Sequence, residues 1–288
     1  MSKKITGRKQ KDLIILADKS KLKYKNSKPY PHIIFKNFFN KDFLNEVLKE
    51  FPDLSKNKFS INYANKNEVK FANNDKKSFK KNTKLFFRYL NSPEFLKFIK
   101  KVSSIKEKIL ADQILNGGGL HEIKKGGVLK VHTDFSKHPT KNLDRRINVL
   151  IYLNKKWKNK YGGHLELWSK DMKQCVKKIL PDFNTMVIFS TNDFTNHGHP
   201  NYLKCPQTTS RKSIATYYFS KGRPKDEIIK VHKKNRTEFK NRTGIKDDVL
   251  VKNDYFKNIL RNTNIYQQIK SFEKKYIRTG NSKIKRKN

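Results

Sequence analysis

From about residue 115 the chain is written in short apolar runs with polar alternation: GGVLKVHTDF, RINVLIYLN, GGHLELWS, NTMVIFST and SIATYYFS. Gly, Asn, Asp and Pro separate them, the punctuation of strands joined by turns. In the second run Val149, Ile151 and Leu153 share one face of an extended strand, and Asn148, Leu150 and Tyr152 share the other. Many short strands at regular spacing predict a sandwich, jelly roll or barrel, closing near Gly222-Arg223-Pro224. Upstream the period changes. Pro29-Tyr30-Pro31 and HIIFKNFF predict a strand. Asn40 then caps a helix, KDFLNEVLKEF, whose Phe43, Val47 and Phe51 recur every four residues until Pro52 ends it. Ser92-Pro93-Glu94 opens a second helix with a hydroxyl cap, a proline in the first turn and an acid beside it, turning Phe95, Phe98 and Ile99 inward. Residues 53–80 are polar without a period and read as a loop.

The expected fold is mainly β: a double-stranded β-helix (jelly roll) with flanking N- and C-terminal helices. Three segments follow from the texture. Residues 1–28 are a flexible basic lead-in, 29–224 the folded domain with its strand-rich core at about 115–222, and 225–288 a basic helical extension. In that extension Ile259, Leu260, Ile265, Tyr266 and Ile269 could form one apolar face. There is no internal repeat.

Composition changes this picture little. The chain has 288 residues, and only 35% are hydrophobic, yet 20 Phe, 12 Tyr and 2 Trp are enough to fill a core. No run approaches the ~18–20 apolar residues of a membrane span. The longest apolar run near the start, Leu13 to Leu16, is too short for a secretory signal. Cys175 and Cys205 fit neither a disulfide framework nor a zinc spacing, which suits a reducing cytoplasm. The formal charge is +42, a value that raises nucleic acid as a partner. Two features argue against it. Only 11 of the 67 basic residues are the arginines that bidentate phosphate recognition favours. The excess is also spread over all three segments, consistent with solvated lysine rather than one binding face.

Chemistry concentrates in the strand-rich region. His132 and Asp134, two apart in VHTDF, present an imidazole and a carboxylate on one face. A histidine from the later NHGHP segment completes two His and one carboxylate, the ligand set of non-haem Fe(II) oxygenases. His197 is taken as that third ligand; His199 faces the same way and is the alternative. Arg211 and Ser213 share another strand face, where a guanidinium and a hydroxyl suit a carboxylate, and Tyr152 can add a phenol. His164 is read as structural, His121 and Glu122 as a polar rim or substrate contact, Arg145-Arg146 as surface charge that chance explains rather than a steering site for an anionic substrate, and Cys205 as packing.

Blocks in order carry a resemblance: KPYPHIIFKNFF, LNSPEFLKFI, GGGLHEIKKGGVLKVHTDF, LDRRINVLIYLNKKW with YGGHLELW, and FSTNDFTNHGHP with SRKSIATYYFSKGRP. Over residues 29–224 the chain resembles Fe(II)/2-oxoglutarate-dependent oxygenases of the prolyl 4-hydroxylase-like group, and most of all bacterial-type proline hydroxylases. The resemblance implies a jelly roll in which His132, Asp134 and His197 bind iron. Arg211, Ser213 and Tyr152 would hold the distal carboxylate of 2-oxoglutarate. O₂ and 2-oxoglutarate would then give succinate, CO₂ and a hydroxylated product, with ascorbate as a reductant. Asp134 points to hydroxylation, because related halogenases carry a small residue there. The expected substrate is a peptidyl proline or a small molecule. The same chemistry on nucleic acid, or a non-catalytic basic binding protein on this scaffold, are the alternatives; no membrane partner is expected.

Overall fold

The computed structural model describes residues 1–227 and 236–247. Its elements begin with α1 (Ser2–Thr6), α2 (Gln10–Asn26), β1 (His32–Lys36), α3 (Lys41–Lys49), β2 (Ile61–Ala64), β3 (Glu68–Asn73), α4 (Lys81–Leu90) and α5 (Pro93–Ser103). The strand-rich part follows: β4 (Leu110–Ala111), β5 (Gly119–Ile123), β6 (Val128–Thr133), β7 (Asp144–Tyr152), β8 (Leu165–Trp168), β9 (Cys175–Ile179), β10 (Thr185–Ser190), β11 (His197–His199), β12 (Arg211–Ser220) and β13 (Glu238–Phe239). The strands pair antiparallel in the order β1-β10-β7-β12-β5-β3-β6-β11-β8-β9. This is the curled jelly roll that the strand pattern predicts.

The two-residue pleat gives the long strands two occupations. On one face of β7 and β12, Ile147, Val149, Ile151, Ile214 and Tyr218 join a core with Phe86, Phe95, Phe98 and Ile99 of the helical layer. On the other face lie Asn148, Tyr152, Arg211, Ser213 and Tyr217. Cross-strand register sets Ser213 opposite Tyr152 and Tyr217 opposite Asn148. A local break between Tyr218 and Phe219 brings Arg145 opposite Phe219.

The helices at Asn40 and Ser92 form as their caps predict: Asn40 Oδ1 accepts from Phe43 N at 2.9 Å, and Ser92 Oγ from Phe95 N at 3.3 Å. Three expectations need correction. Residues 1–28 are helical over α1 and α2, and α2 packs against α5 and β1. Leu13, Ala17, Ser20 and Tyr24 recur on its buried face, a stripe that small residues hide from a reading of large apolar ones. Within 53–80, β2 and β3 form a hairpin, and β3 also pairs with β5 and β6. Past residue 225 the described part is a short 3-10 turn, then β13, which pairs with β6. The apolar positions 259–269 lie outside the described residues.

If the amino-terminal segment is a core layer, Leu13→Ala will lower the unfolding free energy by about 2–5 kcal/mol, the cost of a large-to-small core change. Urea unfolding measures it; a loose lead-in would give a change near zero.

Candidate metal centre

Three donors converge where β6, β11 and the turn after β6 meet. His197 stands opposite His132 in the β6–β11 register, and Asp134 follows His132 at the same-face spacing. One ligand atom from each of His132, Asp134 and His197 lies within 4.8 Å of the others. The carboxylate is 3.7 Å from His132 Nε2 through Oδ1 and 3.3 Å from His197 Nε2 through Oδ2. Both imidazoles are oriented from behind. Nδ1 of His132 donates to the Lys130 carbonyl at 2.8 Å, and Nδ1 of His197 donates to the Thr195 carbonyl at 3.0 Å. A carbonyl accepts only, so the tautomer is fixed and each Nε2 keeps its lone pair for a metal. Burial and the neighbouring His197 push the His132 ring down to about 3, against a smaller opposing pull from Asp134. Burial pushes the Asp134 carboxyl up, but Arg145 and the two imidazoles outweigh it and hold it well below the usual carboxylate range. An N₂O set of this kind, with both imidazoles oriented by backbone carbonyls, fits a divalent metal with open positions.

His199 is outside this cluster. The register shifts between His197 and His199, so His199 pairs with Leu129 instead of continuing the ladder at regular spacing. It is buried and lines the same cavity, and neither ring nitrogen has a hydrogen-bond partner among the described residues. Burial, reinforced by Arg211, holds it well below the ordinary histidine value.

The cavity, about 330 Å³, runs from the triad to Arg211 and Ser213, with Ile123, Leu129, Leu150 and Leu165 in its walls. Arg211 is buried, its Nε donating to the Gly163 carbonyl at 2.8 Å and an Nη to the Tyr152 hydroxyl at 3.2 Å. No carboxylate among the described residues forms an ion pair with it. A dry guanidinium backed by a phenol and a carbonyl is a receptor for a carboxylate. Gly163 has φ +71°, and a Cβ there would come within 2.6 Å of Leu203 and 3.0 Å of the Arg211 side chain. The Gly162-Gly163 turn is therefore shaped to let Arg211 lie down.

Of the remaining readings, His121 lines the cavity, whereas Glu122 points away from it and accepts from Leu54 N and Ser210 Oγ. His164 bonds Asn159 outside the cluster. Cys205 is packed with Ile123, Trp157 and Leu203. The pair Arg145-Arg146 is not surface charge: both side chains are buried. Arg146 pairs with Glu107 at 3.2 Å, and Arg145 with Asp134 at 3.1 Å. Strand parity sends Arg145 to the core face with Ile147, Val149 and Ile151; the register break that sets it opposite Phe219 turns it into the cavity, a non-local feature that carries no signal in the sequence. Three further contributors carried none: Tyr63 and Lys70 from the β2–β3 hairpin, and the 236–239 strap. In that strap Phe239 sets its ring 5.5 Å from His132, and Arg236 and Thr237 line the mouth. Lys240 N donates to the Val131 carbonyl, Thr243 N donates to the Met172 carbonyl, and Asp247 pairs with Lys130 at 3.6 Å, which fastens the strap to the barrel.

Residues 118–219 match the 2OG-Fe(II) oxygenase superfamily. Over 79 residues, 26% of the chain, the sequence is 33% identical to a Mus musculus protein named prolyl 3-hydroxylase OGFOD1, and the match spans 14% of that protein's length. A solved prolyl hydroxylase in complex with a hypoxia inducible factor peptide fragment, from Trichoplax adhaerens, superposes with a TM-score of 0.53 at 18% identity, over 73% of this chain and 91% of that one. A Pseudomonas putida prolyl-4-hydroxylase gives 0.51 at 14% identity, over 73% of this chain and 100% of that one. At such identities the structural likeness speaks for the shared fold.

Two outcomes are expected of this geometry. His197→Ala will lose divalent-metal binding by calorimetry, whereas His199→Ala will keep it. In metal-free protein, the unfolded chain takes up a proton at His132 near pH 6.5 that the folded chain refuses until about pH 3. Stability therefore falls as pH drops through that window, by about 2 kcal/mol between pH 7 and pH 5 for this one group. Urea midpoints of wild type and His132→Asn across that range will converge as the pH falls if the assignment holds.

Proposed function

We propose, from the match of residues 118–219 to the 2OG-Fe(II) oxygenase superfamily, that this chain is an Fe(II)- and 2-oxoglutarate-dependent dioxygenase that hydroxylates a prolyl residue of a peptide. The observation that carries the reading is the pairing, in one cavity, of a His-Asp-His cluster with a buried arginine that has no carboxylate partner among the described residues. A metal at the first and a dicarboxylate anchored at the second are what oxidative decarboxylation of 2-oxoglutarate requires.

The bound iron supplies activation of O₂. The chain's own residues do the rest. Backbone carbonyls of Lys130 and Thr195 hold the imidazole Nδ1 protons, so both Nε2 atoms face the metal position. Asp134 supplies one negative charge, which leaves open positions for the co-substrate and O₂. Arg211, with Tyr152 beside it and Ser213 across the strand pair, receives the far carboxylate and fixes the co-substrate's direction. Leu150 and Leu165 give the cavity apolar wall between its polar ends. The mouth is walled by Tyr63, Phe135 and Tyr217, flat faces that suit a pyrrolidine ring. The prolyl choice draws its support from those walls and from the names of the relatives.

The test is succinate formation by protein loaded with Fe(II). Succinate will require O₂ and will increase with proline-containing peptides, and the peptide will gain one oxygen by mass. Asp134→Ala will abolish it. Arg211→Met will raise the 2-oxoglutarate concentration needed by about 10- to 100-fold, the loss of one charge-assisted hydrogen-bonded pair. Succinate release indifferent to Asp134→Ala would sink the reading.

A further inference from the structure

His199 is only 3% exposed and lines the cavity, and neither ring nitrogen has a hydrogen-bond partner among the described residues. Leaving a buried polar ring unpaired is costly, so its place in the fold calls for a reason. Position along the strand shows which end of the cavity it serves. In the antiparallel pairing of β11 with β8, His197 stands opposite Leu167 and Gly198 opposite Glu166. His199 therefore comes next in the direction of Leu165 and Gly163. The Gly163 carbonyl is the acceptor that holds Arg211 Nε at 2.8 Å. The ring thus lies on the Arg211 side of the triad, with Leu165 and Arg211 in the same cavity wall.

Resting on the dioxygenase reading above, we propose that His199 binds the co-substrate, as a neutral imidazole whose N–H donates to the distal carboxylate of 2-oxoglutarate beside Arg211. An imidazolium there would add a buried cation with no counter-ion, so the ring is neutral and carries one N–H and one lone pair. A carboxylate offers about four lone-pair sites. Arg211 spends its Nε on Gly163 and one Nη on the Tyr152 oxygen. That leaves its other Nη and the Tyr152 proton for the ligand. His199, arriving from β11 rather than β12, approaches from a different strand of the barrel. A neutral donor adds a hydrogen bond without adding charge, and the ligand in turn satisfies a ring that the empty protein leaves unpaired.

The experiment is calorimetry without oxygen on Mn(II)-loaded wild type, His199→Leu and His199→Gln. Each is titrated with 2-oxoglutarate and with 2-oxopentanoate, which carries a methyl group where the distal carboxylate would be. His199→Leu will bind 2-oxoglutarate about 10-fold or more weakly, the loss of one hydrogen bond to a charged group. His199→Gln, which keeps an N–H, will recover most of that loss. All three proteins will bind 2-oxopentanoate alike, because the interaction under test is missing from it. If that ligand binds too weakly to follow, the His199→Gln rescue decides. Thermal unfolding of each metal-free variant confirms that it folds, and His199→Met serves if His199→Leu does not. Unchanged 2-oxoglutarate affinity, an equal loss for both ligands, or no rescue by His199→Gln would overturn the role. Wild type that takes up no Mn(II), or takes it up and binds no 2-oxoglutarate, would instead overturn the dioxygenase reading.

Discussion

The pleat of β7 and β12 is the constraint on which the rest of this molecule depends. Successive residues of a strand point to opposite faces, so one alternation serves two purposes. Within β7, Ile147, Val149 and Ile151 enter the core that α2, α3, α4 and α5 cover, while Asn148 and Leu150 line the cavity. The register then joins the strands at chemically useful places, with Ser213 beside Tyr152 and Tyr217 beside Asn148. A slip of one residue would exchange the two faces, placing Ile151 in the cavity and Tyr152 among the phenylalanines. The large aromatic core on the outer face therefore also fixes which residues reach the chemistry.

A second consequence is electrostatic. The inner face is polar yet buried, so each charged group on it needs an answer. His132 answers by staying neutral, its Nδ1 proton given to a carbonyl. Asp134 answers with Arg145 and Asn148. Arg211 has only a phenol and a carbonyl, a partial answer that leaves a cation waiting for an anion. Within the cavity, both Arg145 Nη atoms, His121 Nε2 and both His199 ring nitrogens have no hydrogen-bond partner among the described residues, and a ligand there would satisfy them together with Arg211.

Much of this was legible in the sequence, and what was missed has physical causes. The strand runs and the His132–Asp134 spacing are local, set by a two-residue period, so they can be read from letters alone. Choosing between His197 and His199 is not local: it depends on a register shift against β6. The α2 stripe escaped because Ala17 and Ser20 occupy half of it. The β2–β3 hairpin escaped because its residues face solvent or the cavity mouth, where polar side chains are stable. Strand β13 has two residues, too few for any period; its place comes from the Lys240 backbone bond to Val131 and the Asp247–Lys130 pair.

The charge of +42 looks different once the arginines are separated from the lysines. Arg145, Arg146 and Arg211 are buried and tied to carboxylates, a phenol or carbonyls inside the barrel. Most lysines of the described residues are exposed or half-exposed, and those that pair do so chiefly with neighbours at the surface, as Lys49 does with Glu46. A delocalised guanidinium is more weakly hydrated than a compact ammonium, so it costs less to bury and can stack on rings as Arg145 does on Tyr217. In a chain with so few arginines, burying three of them around one barrel concentrates the scarce cation where dry, directional charge is needed. The chemistry is therefore governed by a handful of guanidinium groups, while the abundant lysines set the charge of the surface.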